Sequence, residues 1–97
     1  MMRFTWRPEK NRLNVRRHGI AFQDAARIFE GPTVEIVDDR FDYGETRIYA
    51  IGVVNGTEIT VIYTDRDNEE RHLISAWRSE PRERRNYWQN IFAEKND

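Results

Sequence analysis

Arg47, Thr64 and Arg66 are residues of this 97-residue chain whose types could hold an anion together. A guanidinium presents paired N–H donors in a planar fork that matches two phosphate oxygens, and a hydroxyl adds one more donor. Whether the three meet depends on how "TRIYAIGVV" and "TEITVIYT" pair. Between them lies Asn55-Gly56, the dipeptide of a two-residue hairpin turn, because both central positions need positive φ and Asn and Gly reach it most easily. Such a loop fixes register: Val54 pairs with Thr57, Ile51 with Thr60, Ile48 with Tyr63 and Arg47 with Thr64. One face then collects Ile48, Ala50, Gly52, Val54, Ile59, Val61 and Tyr63, an apolar set suited to a core. The other collects Arg47, Tyr49, Ile51, Val53, Glu58, Thr60, Ile62 and Thr64, with Arg66 joining if phase is kept. Arginines at strand ends also lie flat over apolar neighbours with the guanidinium in water, so residue type alone leaves both readings open.

The following segment, "RHLISAW", leads into Arg78, and a strand there must lie beside "TEITVIYT". Arg78 is therefore expected to reach the same region. Three more arginines follow in "SAWRSEPRERR". At about 100° per helical residue, Arg84 falls between Tyr87 and Ile91 on an apolar stripe, whereas Arg82 and Arg85 point to the opposite side. Arg84 is expected on the inward side, either snorkelling past the core or aimed at the sheet's edge beside a carboxylate, and the other two in water.

The elements that position these residues follow from pattern and punctuation. "RFTWR" alternates as a short strand that Pro8 stops, and a helix from Pro8 to His18 ends at Gly19. Phe22, Ala25, Ala26 and Phe29 have helical spacing before Gly31-Pro32, which predicts a second helix. Four segments rich in β-branched and aromatic residues then read as strands, and a last helix has Ser79 as cap, Pro81 in its first turn and Tyr87, Trp88, Ile91 and Phe92 as its stripe. The order β-α-α-β-β-β-β-α predicts an α+β fold, one domain over residues 1–97, with an antiparallel sheet and its helices on one face.

Composition narrows the classes of function. A chain this short buries only ~65% of its unfolded surface, which leaves room for one small core. At 38% hydrophobic and 12% aromatic it is too apolar for disorder, and at 34% charged its surface is very polar. No apolar run approaches the ~18 residues of a membrane helix, and "MMRFTWRPEKN" lacks the apolar centre of a signal peptide, so a cytoplasmic protein is expected. Absence of cysteine removes disulfides and thiolate chemistry, and two histidines far apart, His18 and His72, give a metal little to bind, so neither metal nor cofactor is expected. The net charge of −1 hides segregation: Arg3 to His18 holds six Lys/Arg against Glu9, and Glu30 to Glu45 holds six carboxylates against Arg40.

Placed in this order, the residues resemble the BrnT toxins of bacterial BrnT/BrnA type II toxin–antitoxin modules. The resemblance runs through "FTWRPEKNRLNVRRHGIAFQDAARIFEGP", "GETRIYAIG", "VIYTDR" and "LISAWRSEPRERRNY", nearly the whole chain. It implies a RelE-like ribonuclease fold, RNA cleavage that arrests translation, and neutralisation by a BrnA-like ribbon-helix-helix antitoxin, in a complex containing toxin dimers that touches DNA only through the antitoxin. It also implies Arg66, from "YTDR", as a catalytic arginine and Arg78, from "SAWR", as its companion. Two departures stand out: Arg7 where the family commonly has Asp, and Trp77 where it commonly has Arg.

RNA is cut without metal when its 2′-hydroxyl attacks the adjacent phosphorus, which needs a base, an acid for the leaving 5′-oxygen and cations for the phosphorane. Under the resemblance Arg66 and Arg78 are those cations; Arg47, Thr64 and Arg84 are, from their types and positions, candidates for further contacts to RNA. His18 is a proton-transfer candidate from its reference pKa of ~6.5, although a His beside Gly19 also serves as a helix C-terminal cap. Lys10 and Tyr63 are alternatives, and Tyr63 sits on the core face. Tyr49 and Trp77 either stack an unpaired base or pack the sheet. The acidic stretch from Asp38 to Glu45 repels RNA or receives a basic antitoxin. A non-catalytic RNA-binding module and a pure protein-interaction domain are the competing classes.

Overall fold

Pro8 opens and Gly19 closes the first helix in the computed structural model, which describes residues 2–95; residues 1, 96 and 97 of the expected domain lie outside that range. β1 spans Arg3–Thr5 and α1 Pro8–His18. Gly19 ends α1 at φ 71°, its N–H reaching the Val15 carbonyl at 2.8 Å. α2 (Phe22–Ala25) tightens into a 3-10 turn, Ala26–Glu30, so only the first part of the second helix is α-helical. β2 (Val34–Asp38), β3 (Arg47–Val54), β4 (Thr57–Arg66), β5 (Glu70–Arg78) and α3 (Pro81–Lys95) complete the expected order.

Asn55 and Gly56, at φ 49° and 79°, make the hairpin turn. The β3–β4 ladder has the expected register, from Val54 opposite Thr57 through Ile51 opposite Thr60 to Ile48 opposite Tyr63. Alternation therefore holds: Ala50, Ile59, Val61 and Tyr63 are buried with Phe22, Ala25, Ile28, Leu73 and Ala76 in the main core. Gly52 shares that face at a close approach, since a Cβ there would lie 2.7 Å from the Ile28 Cβ.

The sheet has the order β1-β5-β4-β3-β2 and is mixed rather than wholly antiparallel, because β1 runs parallel to β5 with Thr5 opposite His72. A three-residue strand carries no directional signal; its direction follows from the crossover that returns the chain to this edge only after α1, α2 and three further strands. Nor do the helices share one face. The segment from Ile20 to Ile28 covers the Ala50–Val61 side, whereas α3 seats Tyr87 and Ile91 against Ile51 on the other. The alternation that buries Ala50 leaves Ile51 and Val53 on the second face, and covering each such side chain stabilises the fold by about 1.5–3 kcal/mol. Trp88 and Phe92, expected in the same stripe, remain 37% and 56% exposed. Ser79 does not cap α3 with its hydroxyl, which is buried 2.7 Å from Thr60 Oγ1; instead the Glu80 N–H donates to Glu83 Oε1 at 2.7 Å, half of a capping box.

Two features shape β5 and its contact with α1. β5 has one extra residue, Ile74, between the pairs Ile62–Ser75 and Tyr63–Leu73, a bulge that keeps both Leu73 and Ala76 in the core and sets His72 opposite Thr64. Past the end of β1, the edge of β5 is met by Asn14 of α1. This buried amide donates to the carbonyls of Ile20 and Ala76 at 2.9 Å each and accepts the Ala76 N–H at 3.1 Å. No helix among the described residues is long and apolar enough to cross a membrane.

Candidate active site

Lys10 in the first turns of α1, Arg47 at the start of β3 and Arg66 at the end of β4 come together around one cleft of about 280 Å³. Arg7, Glu45, His72, Leu73 and Ile74 complete its lining. A shallow depression continues from it along the seam of α1 and β5, sharing Lys10 and Ile74 and adding Arg17, His18 and Ser75. A third, of about 380 Å³, shares Arg17 and His18 and adds Trp77, Arg78 and Glu80. Shared lining residues make the three neighbours, with Arg66 at one end of the series and Arg78 at the other.

Four cationic side chains face a single lining carboxylate in the cleft, Glu45. Each arginine has a carboxylate neighbour: Arg47 donates to Glu45 at 3.0 Å, Arg66 meets Glu70 at 3.4 Å, and Arg7 lies 2.6 Å from Glu9. Exposed pairs of this kind contribute little and can yield to a stronger anion. The Arg47 guanidinium also stacks 4.0 Å from the centre of the Tyr43 ring. His72 is held between β1 and β4, its Nδ1 2.9 Å from Thr5 Oγ1, which also donates to Glu70 Oε2 at 2.9 Å. Burial, then the nearby Arg66 guanidinium, pulls the His72 pKa below its ordinary value. The Thr5 hydroxyl, with help from Arg3 and Arg66, keeps the Glu70 carboxyl below the usual carboxylate range.

Arg78 does not join Arg66. Antiparallel pairing sets Arg66 opposite Glu70 and Arg78 opposite Ile59, so the two stand at opposite ends of the β4–β5 ladder, seven residues apart. At ~3.3 Å per residue the separation is roughly 23 Å. The sequence establishes that the strands are neighbours, but antiparallel neighbours bring the start of one to the end of the other. His18 falls beside Arg78, exposed, its ring 6.4 Å from that of Trp77. Thr64 is buried, and its hydroxyl donates to the Thr46 carbonyl at 2.7 Å, so that proton does not point at a ligand. Tyr49 and Trp77 pack edge to face at 5.8 Å, and the Trp77 Nε1–H donates to Glu83 at 3.0 Å. Trp77 still lines the third depression; Tyr49 lines a separate cavity between β2 and α3. Arg84 is exposed rather than turned inward: its guanidinium donates to the Ser79 carbonyl at 2.7 Å, an anchoring contact at the helix start, and it lines none of the three depressions. Arg82 and Arg85 are exposed as expected. Tyr63 lies in the core, donates to Glu35 at 2.7 Å and has its pKa pushed up by burial and then by that carboxylate, which removes it from proton transfer at neutral pH.

His72 is the cleft residue that sequence reasoning missed. Strict alternation back from Trp77 would put Ser75 and Leu73 on its face and His72 on the other; the bulge at Ile74 shifts the phase by one. Larger cavities of about 620 and 530 Å³ lie elsewhere. In the first, Arg71 is already paired with Asp65 at 2.8 and 3.0 Å and stacked over Tyr63.

Comparison with known proteins adds an independent line. A family model described as the ribonuclease toxin, BrnT, of type II toxin–antitoxin systems matches residues 6–83. The chain is similar to the crystal structure of the Brucella abortus ribonuclease toxin BrnT, with 27% sequence identity and a TM-score of 0.63 over 82% of this chain and 99% of that one. No curated protein sequence matches it.

Proposed function

The chain belongs to the BrnT family of ribonuclease toxins of type II toxin–antitoxin systems, and from that premise we propose that it cuts RNA in the cleft of Lys10, Arg47 and Arg66, by attack of the 2′-hydroxyl and without a metal ion. The observation that carries this reading is the gathering of Arg7, Lys10, Arg47 and Arg66 around His72 with one lining carboxylate. As the phosphorane forms, negative charge grows on its oxygens, and fixed cations aimed at it stabilise the transition state more than the ground state. Arg66 and Arg47 offer forked donors, and in this reading the Lys10 ammonium protonates the departing 5′-oxygen.

RNA would follow the path beyond the cleft, with Arg17, His18 and Arg78 meeting its phosphates and Trp77 offering a face to a base; such stacking contributes ~1–3 kcal/mol per base where it occurs. In this reading His18 and Arg78 bind rather than catalyse, Tyr49 supports Trp77, and Arg84 anchors α3. Family membership implies an antitoxin partner. The proposal takes it to be a BrnA-like ribbon-helix-helix protein, bound to toxin dimers in the cytoplasm and carrying any contact with DNA, and takes the fold to be akin to RelE-like ribonucleases.

The test is incubation of the purified protein with RNA, with and without EDTA, followed by analysis of the product ends. EDTA-resistant cleavage leaving 2′,3′-cyclic phosphate and 5′-hydroxyl ends is expected. Cleavage abolished by EDTA, or products bearing 3′-hydroxyl ends, would overturn the mechanism; salt-sensitive binding without cleavage would return the chain to the class of RNA-binding modules.

A further inference from the structure

We propose that His72 is the general base of this cleft, held by the chain Glu70–Thr5–His72 in the tautomer that carries its proton on Nδ1 and leaves Nε2 free to accept one. The inference rests on the cleft being the site of RNA cleavage, and it assigns the proton transfer there to a residue other than His18.

The tautomer follows from counting protons. Thr5 Oγ1 lies 2.9 Å from Glu70 Oε2 and 2.9 Å from His72 Nδ1, and a hydroxyl has one proton to give. An ionised carboxylate only accepts, and Glu70 is kept ionised by Thr5, Arg3 and Arg66. The Thr5 proton therefore goes to Glu70, and the Nδ1 contact is a hydrogen bond only if Nδ1 donates to Thr5 Oγ1. Neutral His72 then has its lone pair on Nε2. A hydroxyl stands between carboxylate and imidazole, but the logic is that of any histidine whose reactive nitrogen is set by the bond its other nitrogen makes.

The surroundings favour a base over a spectator. His72 is opposite Thr5 of β1 on one side and Thr64 of β4 on the other, so the ring is positioned by two neighbouring strands. Charged groups face it from every element around the cleft: Arg7 and Lys10 at the start of α1, Glu45 and Arg47 at the start of β3, Arg66 at the end of β4 and Glu70 on β5. The cations outnumber the carboxylates, which favours the neutral imidazole, and burial acts in the same direction. In the reaction Nε2 takes the 2′-hydroxyl proton as the O2′–P bond forms. The P–O5′ bond breaks, and O5′ takes a proton from the Lys10 ammonium; afterwards His72 releases its proton to solvent and Lys10 regains one. Because the base must be neutral, the cleavage rate rises with pH through a midpoint below ~6.5.

Two measurements on the full-length protein decide the matter. Nitrogen-15 NMR of the histidine rings, with His18 as internal reference, is expected to find neutral His72 protonated at Nδ1, and Thr5→Val is expected to shift it toward the other tautomer. Single-turnover cleavage by His72→Ala is expected to fall about 10²–10⁴-fold, with partial rescue by added imidazole and unchanged affinity for an RNA blocked by a 2′-deoxy substitution. Thermal melts confirm that each variant is folded. Protonation at Nε2 in the native protein, or cleavage by folded His72→Ala within about threefold of the native rate, would overturn the proposal. If Lys10→Ala and Arg66→Ala abolish cleavage while His72→Ala does not, this inference alone fails. If all three cleave normally, the assignment of the cleft fails with it.

Discussion

Replacing Asn14 by aspartate changes almost no volume, yet it should be among the most damaging single substitutions on α1. The buried Asn14 amide donates two hydrogen bonds, to the carbonyls of Ile20 and Ala76, and accepts one from the Ala76 N–H. Aspartate keeps the acceptor and loses both donors, leaving two carbonyl oxygens facing a carboxylate. An unsatisfied buried acceptor costs about 1–3 kcal/mol, so the pair amounts to roughly 2–4 kcal/mol after partial relaxation. For a chain of this size 1 kcal/mol corresponds to about 4–8 °C, which predicts a fall in Tm of roughly 10–30 °C. Thermal unfolding followed by circular dichroism measures it. Because the loss comes from missing donors, lowering the pH far enough to protonate the new carboxyl should narrow the gap to the native protein by restoring one. A Tm within about 3 °C of native at neutral pH would refute the idea that this amide ties α1 to the sheet edge.

Gly52→Ala tests the close approach in the core. The added methyl meets Ile28 Cβ at 2.7 Å, and overpacking of this kind costs about 1–3 kcal/mol, visible as a lower urea midpoint; an unchanged midpoint would mean that the turn after α2 shifts freely. The acidic stretch offers a test of partner choice. Asp38 is buried and accepts hydrogen bonds from Arg40 and Tyr43, so it organises its own loop, which makes Asp39 and Asp42 the residues to reverse. Asp39→Lys with Asp42→Lys is expected to weaken antitoxin binding while leaving RNA cleavage intact, measured by titration calorimetry and a cleavage assay; unchanged affinity would assign the loop to solvent.

How far the sequence reaches is clearest at β3 and β4. The Asn55-Gly56 turn dictates both register and face, so the core positions and the meeting of Arg47 with Arg66 at one end of the sheet follow without a structure. Two long-range facts escape this kind of reading. β1 is too short to declare a partner or a direction, and the apolar second face at Ile51 and Val53 does not announce which helix covers it. The candidate site was legible in part for the same reason. Lys10, Arg47 and Arg66 converge, but adjacency of strands does not say which end Arg78 occupies, because strand direction decides that, and residue type does not say that the Thr64 proton goes to the Thr46 carbonyl. His72 was hidden by one extra residue, Ile74, since a bulge inverts the face of everything before it and leaves no mark in an apolar run such as "LISAW".

The most direct test of the cleft is the single-turnover rate of RNA cleavage by Arg66→Ala beside that of Arg78→Ala. Loss of one transition-state donor predicts a fall of about 10²–10³-fold for Arg66→Ala at saturating protein, whereas Arg78→Ala, at the far end of the path, should weaken binding and leave the saturated rate nearly native. Native-rate cleavage by Arg66→Ala, or a collapse of the saturated rate in Arg78→Ala alone, would contradict the account and move the chemistry to the other end of the sheet.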